Sequence, residues 1–551
     1  MARRGARTVG RLIADALAAA GVRWAFTVPG ESFLELLDAL PAAGVRVVAT
    51  RHEGGAAFMA EAVGQLTGEP AAVLGTRTVG AANMSIGIHT ARSNSTPLVA
   101  LVGQVQRSHI GREAFQESDL VARFGGLAKW AAQIDDPAVA AAQLGEGLSA
   151  MRSGRPGPVL FAVPEDVFGE AVPARARIVV DRVAPAPPSG AAVAEVLALV
   201  AAAKRPVILA GGGVIAAGAR DDLVALSERL CVPVIAAWRR PTVFPNDHPH
   251  YLGMTGYGAP SSVRARLDEA DALLVIGSRL NEIATFDYRI PRPRQAWAHV
   301  DLEPRSTPVA GLRRATLPLA ADASAFLRAA LEQSRRYRSP RPWPDALADD
   351  REAYLAASAL PEEANGRTTG VNPAHVVNVL QRILPASSIL TTDAGNFGLW
   401  LARGFKFGRD HGFLGPTSGA MGYGLPAAIA SSLVAPDRPV VALCGDGGFT
   451  MTMNEMETAV RTGARPVVIV FDNRRYGTIA MHQRKEGRAE TATELGPIDF
   501  AAVGRAAGAQ AGRIARDAEF EPALRDALDA ERPALLHLEV DPAWVTPDTH
   551  V

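Results

Sequence analysis

Short apolar runs alternate along this chain with longer stretches in which apolar residues recur every three or four positions. Val45–Ala49, Ala71–Gly75 and Leu98–Val102 read as strands buried on both faces, and helical patterns follow most such runs. Thr8–Gly21, with Arg11 and Asp15 inside it, reads as an amphipathic helix behind a short basic arm. The alternation predicts an α/β chain of doubly wound parallel sheets. Two stretches break the rhythm. Ala171–Gly190 carries Pro173, Pro185, Pro187 and Pro188, and Ser334–Asp345 reads SRRYRSPRPWPD. Both are expected to be extended linkers. The predicted division is 1–172, 190–333 and 365–551, with linkers at 173–189 and 334–364. Two of these thirds look similar in kind.

Composition narrows the function. Lys+Arg and Asp+Glu each total 57 in 551 residues, so the net charge is zero. A nucleic-acid binder would need a basic footprint. Cys231 and Cys444 stand alone in apolar stretches, without metal-ligand spacing. They are expected to be buried thiols of a cytoplasmic protein. No apolar run reaches the roughly 18 residues of a membrane span, and the basic start lacks a signal-peptide core.

Three strand ends carry chemistry. The run Pro206–Gly213 ends in Gly211-Gly212-Gly213, but Ala216 stands where a dinucleotide fingerprint needs its last glycine. A phosphate-binding turn and a purely structural turn both remain open there. A second apolar run ends in Gly445-Asp446-Gly447, and a third, Pro466–Phe471, ends in Asp472-Asn473. Asp446 and Asn473 would thus lie at the carboxyl ends of two strands, where open α/β sheets bind ligands. A carboxylate and an amide oxygen suit Mg²⁺, leaving coordination positions for phosphate and water. Gly447 and Gly448 would let backbone N–H groups approach that phosphate.

This GDG with a downstream Asn resembles the diphosphate-binding motif of thiamine diphosphate enzymes. Arg51-His52-Glu53-Gly54-Gly55-Ala56-Ala57, followed by Met59-Ala60-Glu61, is similar to the segment where that superfamily places its activating glutamate. The resemblance assigns Glu53 to N1′ of the aminopyrimidine, favouring the 4′-imino form that deprotonates C2, and gives His52 no catalytic part. Gly415–Pro426 resembles the segment that grips the pyrimidine, with Gly419 in the backbone grip and Met421 as the wedge between the two rings. Thr392–Phe397, with Asn396, resembles a second diphosphate-contacting loop, and Asn83 and Gly477 fall in cofactor-facing motifs. Within the superfamily the acetolactate synthase branch is nearest. Gly111–Glu117 is similar to its GTDAFQE, which puts Phe115 and Gln116 in the active site; Ala128-Lys129-Trp130 and His248–Pro260 agree.

The chain also departs from that branch. Thr76–Asn83 replaces the family loop TSGPGATN, with Arg77-Thr78-Val79 in place of Ser-Gly-Pro. Arg77 is either a carboxylate or sulfonate anchor or a solvated side chain. His482 stands where relatives carry a pocket-shaping Trp, which implies a more polar acceptor, or else a surface histidine of a lid. His109 and Arg112 are further substrate candidates. Trp238-Arg239-Arg240-Pro241 and Gly277–Glu282 differ from the flavin-binding segments of relatives, which leaves FAD open.

The resemblance implies thiamine diphosphate and Mg²⁺, the latter held by Asp446, Asn473 and the backbone carbonyl of Arg475. It implies decarboxylation of a 2-oxo acid with carboligation. Simple decarboxylation, acetyl transfer of the sulfoacetaldehyde acetyltransferase kind, flavin-linked oxidation and a non-catalytic cofactor-binding subunit are the alternatives. It also implies an obligate homodimer, or a tetramer, in which Glu53 of one subunit serves the cofactor of the other. Donor, acceptor and any regulatory subunit stay open.

Overall fold

The computed structural model describes residues 7–181, 187–304, 315–337, 343–360 and 369–550. The basic arm before residue 7 and the linker residues 182–186, 338–342 and 361–364 lie outside the described residues.

Three parallel sheets of six strands each form the chain. The first holds β1 (Trp24–Thr27), β2 (Arg46–Ala49), β3 (Ala71–Thr76), β4 (Leu98–Gln104), β5 (Trp130–Gln133) and β6 (Pro158–Pro164), in the order 2-1-3-4-6-5. The second holds β7 (Val207–Ala210), β8 (Val234–Ala236), β9 (Tyr251–Met254), β10 (Ala272–Ile276), β11 (Ala296–Asp301) and β12 (Leu317–Ala320), in the order 12-11-10-7-8-9. The third holds β13 (Ile389–Thr392), β14 (Gly412–Leu414), β15 (Val440–Gly445), β16 (Val467–Asp472), β17 (Gln510–Ile514) and β18 (Ala534–Glu539), in the order 14-13-15-16-18-17. The first and third orders are the same when counted from the first strand of each. The α/β doubly wound class read from the periodicity is what the chain adopts, because these strands are buried on both faces and need helices over each.

Small residues join the two similar domains. The helix Glu53–Thr67 packs on the helix Gly424–Val434, where Ala56, Ala57 and Ala60 meet Leu425, Ala427 and Ala428 in one continuous core. Phe58 stands edge-on to Tyr423 with ring centroids 5.4 Å apart. The central domain has cores of its own.

One linker expectation changes. Within 334–364 the segment Trp343–Ser358 is a helix, not an extended strap. Its prolines cluster before Asp345, so the run from Ala346 is free to coil. Asp350 accepts from Arg266 Nε at 2.7 Å, and Tyr354 is buried in the central core. Before the first break, Ala176, Ile178 and Val180 lie against the N-terminal core. Cys444 is buried as expected, whereas Cys231 is half-buried and ends the helix Arg220–Leu230 at a φ of +52°. No helix among the described residues is long and apolar enough to cross a membrane.

Candidate active site

Each open sheet has its switch point where the strand order reverses, and the third sheet reverses between β13 and β15. The parallel register pairs Gly445 with Phe471, so Asp446 and Asn473 emerge at the same sheet edge. A cavity of about 390 Å³ opens there. It is lined by Asn396, Gly419, Met421, Asp446, Gly447, Gly448, Asn473, Arg475, Gly477 and His482, and the central domain adds Trp238, Arg239, Met254 and Tyr257. The chain therefore brings together every candidate of the diphosphate side.

The donor set suits a hard cation. Asp446 Oδ1 accepts from Gly447 N at 2.8 Å, while Oδ2 is buried without a partner. Burial, with the charge of Asp472 adding to it, pushes the Asp446 carboxyl up to about 7. Asp472 goes the other way: against its own burial, the hydrogen bond with His537 at 2.9 Å holds it below the ordinary carboxylate range. Asn473 Oδ1 accepts from Arg475 N at 3.3 Å, and the Arg475 carbonyl accepts from Gly477 N at 2.9 Å, leaving that oxygen a second lone pair. Asn396 Oδ1 accepts from Thr478 Oγ1 at 2.8 Å, but its Nδ2 is buried and unpartnered. An orphaned carboxylate oxygen and an orphaned amide N–H in one cavity are what a cation and an anion together would satisfy. Among the described residues no three His, Cys, Asp or Glu cluster to hold a metal, so a cation here would rest on a mixed oxygen set. The residues present fit Mg²⁺ and a diphosphate.

The glycines are required by close approach. A Cβ on Gly447 would sit 2.6 Å from the Tyr476 ring, and one on Gly448 would sit 2.4 Å from Asp393 Oδ2. Asp393 has no exposed surface and accepts from Ala394 N at 2.8 Å, Gly422 N at 3.0 Å and Tyr423 N at 3.4 Å. Burial raises its carboxyl to about 6, opposed by these bonds and by Arg239. The sequence marks Thr392–Phe397 as a cofactor loop, but not Asp393 as the group that ties the loop Gly415–Tyr423 to its sheet.

Glu53 and Asn83 lie elsewhere. Glu53 opens its helix, and the His52 ring caps that helix by accepting from Gly54 N at 3.0 Å. Asn83 Nδ2 donates to Glu53 Oε2 at 2.9 Å. Neither residue lines the cavity of its own chain. The segment Thr76–Asn83 is not the loop the sequence suggests. Thr76 ends β3, and Arg77–Asn94 is one helix. Its buried face, Gly80, Ala81, Met84, Gly87, Ile88 and Ala91, has helical spacing.

Arg77 begins that helix at a φ of +44°. It is not solvated: 12% of its side chain is exposed, and it pairs with Glu165 at 3.0 Å and Glu31 at 3.4 Å. Its guanidinium also lies 5.9 Å from the Phe115 ring, and Phe115 is 74% exposed. The Gln116 carbonyl accepts from Thr78 N at 3.1 Å, and Gln116 Oε1 is buried without a partner. His109 and Arg112 are exposed on the same segment, and His482 is exposed at the cavity rim.

The central glycine turn is bonded to the neighbouring strand end. Gly211 N donates to Ile276 O and Gly213 N to Gly277 O, both at 2.9 Å. Arg240 lies across the turn, with Nε 2.8 Å from where a Gly212 Cβ would be. Those two N–H groups join β7 to β10, while a second cavity of about 280 Å³ opens beside the turn, lined by Gly212, Arg155, Arg240 and Arg279 among others; the reading below does not call on FAD.

Comparison with known proteins agrees with this geometry. Residues 7–122 match the N-terminal TPP binding domain of the thiamine pyrophosphate enzymes, 193–330 their central domain, and 393–538 their C-terminal TPP binding domain. This chain belongs to the thiamine pyrophosphate enzymes. It is 31% identical to a probable acetolactate synthase large subunit of Methanocaldococcus jannaschii, over 97% of this chain and 92% of that one. It is 29% identical to the acetolactate synthase isozyme 2 large subunit of Escherichia coli (strain K12), over 96% and 95%. It is 30% identical to the sulfoacetaldehyde acetyltransferase of Rhodobacter capsulatus, over 92% and 89%. It is thus an enzyme of the acetolactate synthase-like family, and its N- and C-terminal domains are of the thiamine pyrophosphate-binding kind.

Proposed function

We propose that this enzyme uses thiamine diphosphate and Mg²⁺ to decarboxylate a 2-oxo acid and join the remaining fragment to a second carbonyl. The observation that carries the reading is the convergence of Asp446, Asn473, the Arg475 carbonyl and Asn396 on one cavity. The three oxygens would hold the cation, and Asn396 Nδ2 would be free to donate to the diphosphate. When bound, the cofactor supplies the electron sink for loss of CO₂. Glu53, oriented by Asn83, would be the group to share a proton with the aminopyrimidine. Phe397, Met254, Tyr257 and Met481 give the cavity an apolar lining, which favours departure of a neutral product from a charged carboxylate. His482 offers the acceptor a hydrogen-bonding rim.

Because Glu53 and Asn83 stand outside their own chain's cavity, a second copy completes the site. The helix that carries Asn83 exposes Val79 (49%) and Ile86 (41%), an apolar face suited to that contact. Whether the homodimer pairs into tetramers is a matter for sedimentation. Two cysteines outside any disulfide accord with a reducing cytoplasm.

The test is pyruvate turnover with thiamine diphosphate and Mg²⁺, with and without FAD, with products identified by NMR. Acetolactate formed without need of FAD is the expected result. With sulfoacetaldehyde and phosphate supplied instead, acetyl phosphate formed with release of sulfite would move the assignment to acetyl transfer, the reading favoured by the Rhodobacter relative. Failure to bind thiamine diphosphate would remove both.

A further inference from the structure

The loop Gly415–Tyr423 presents Gly419 and Met421 to the cavity, yet many of its anchors lie outside its own domain. Gly415 N donates to Gln65 Oε1 at 3.3 Å, and Tyr423 Oη donates to Glu61 Oε2 at 2.6 Å. Ser418 Oγ and Thr90 Oγ1 share a hydrogen bond at 2.9 Å. Thr417 donates to Asn94 Oδ1 twice, from N at 3.1 Å and from Oγ1 at 2.7 Å. Gln65, Glu61, Thr90 and Asn94 all sit on the two N-terminal helices Glu53–Thr67 and Arg77–Asn94.

Asn94 is the junction of this web. Its Nδ2 donates to Glu61 Oε1 at 2.8 Å, and its Oδ1 also accepts from Arg240 Nη2 at 3.1 Å. The amide has one possible orientation, because a carboxylate only accepts while a guanidinium and a backbone N–H only donate. Glu61 has no exposed surface and needs its donors. Asn94 therefore sits between a buried carboxylate and a guanidinium, satisfies both, and holds all three domains at one point. Alanine would do neither, and aspartate would set a second carboxylate against Glu61.

We infer that Asn94 is a positioning residue: through Thr417 it holds the loop Gly415–Tyr423 in the one arrangement that presents Met421 and Gly419 to the cofactor. Asn94 itself is not among the residues that line the cavity. Gly419 and Gly422 turn the loop at φ of +74° and +84°, where glycine is the residue that fits; Asp393 holds its C-terminal end, and Asn94 holds Thr417. The inference rests on the thiamine diphosphate reading of the site.

The test uses the holoenzyme with Asn94→Ala, Thr417→Val and Thr417→Ser. Three quantities are measured: calorimetric affinity for thiamine diphosphate with Mg²⁺, the rate of C2 hydrogen–deuterium exchange in the bound cofactor by quench and NMR, and kcat with KM. In Asn94→Ala, exchange and kcat should fall together on the order of 10–100-fold while cofactor affinity and KM hold within about threefold. Thr417→Val should show the same pattern more weakly, and Thr417→Ser should restore wild-type exchange. Should Asn94→Ala fail to fold, the Thr417 pair decides. Wild-type exchange in the variants, or equal losses in Thr417→Val and Thr417→Ser, would overturn the inference. Cofactor affinity falling in step with kcat would reduce Asn94 to a structural role and also overturn it. A wild-type protein that binds no thiamine diphosphate would instead sink the reading of the site.

Discussion

At the scale of single residues, the side chains closest to the proposed chemistry are the ones a local motif can announce. Asp446, Asn473 and Met421 sit in short strings whose meaning needs no distant partner. Asp393 and Glu61 do not, because their partners are far along the chain: Tyr423 is 362 positions from Glu61. Arg77 makes the same point. Its spacing left an anion anchor or a solvated side chain open, and only the fold sets Glu165, 88 positions away, against it. The sharpest residue-scale prediction concerns Glu53. Glu53→Gln keeps the Asn83 contact geometry but loses the acid–base function, so C2 exchange should slow by ~10²-fold or more while Mg²⁺ and cofactor affinity hold. Exchange at the wild-type rate would remove Glu53 from the mechanism.

Elements bring in steric fit and burial. Gly448→Ala places a methyl group where Asp393 Oδ2 already lies, 2.4 Å from the new carbon. Overpacking of this kind costs about 1–3 kcal/mol, so a lower urea midpoint and a lost cofactor heat are expected together; an unchanged midpoint would mean the turn is looser than described. The helix Trp343–Ser358 gives a pH prediction. Lys406 Nζ donates to Tyr354 Oη at 2.9 Å and Ser358 Oγ at 2.7 Å, which docks the helix on the third domain. Burial, with Arg351 and Arg403 nearby, lowers Lys406 to about 7. An unfolded lysine titrates near 10.4, so between these values the unfolded chain binds a proton the native one has released, and stability rises with pH. Comparing wild type with Lys406→Met, the difference in Tm should shift in favour of wild type from about pH 6 to about pH 9. A difference independent of pH would show that the ammonium is not buried. Short apolar runs foretold the strands that carry the site, β15 and β16 among them, whereas this helix was hidden by the prolines just before it.

For the whole molecule, the decisive question is which copies of the chain share a site. Glu53→Gln and Asn473→Ala homodimers should each be inactive. Mixed and reassorted, they form heterodimers with one intact site, and statistical pairing predicts about a quarter of wild-type activity. No recovery would place Glu53 with the cofactor of its own chain. Ile86→Glu, which charges the exposed face of the Asn83 helix, should shift the sedimenting species toward monomer and lower activity with it. The sequence by itself determined the α/β class, the glycine–aspartate turn with its downstream asparagine, and the glutamate that opens the second long helix. The first two follow from period, turn chemistry and short spacing, and the glutamate from the resemblance of its own short segment, all of which are local. Only the tertiary structure decided that Arg77 is paired, that Gly211 and Gly213 of the central turn bond to the strand end at Ile276 and Gly277, and that Asn94 joins three domains. Each of those depends on packing between segments tens to hundreds of residues apart, and no local pattern encodes which buried charge will meet which.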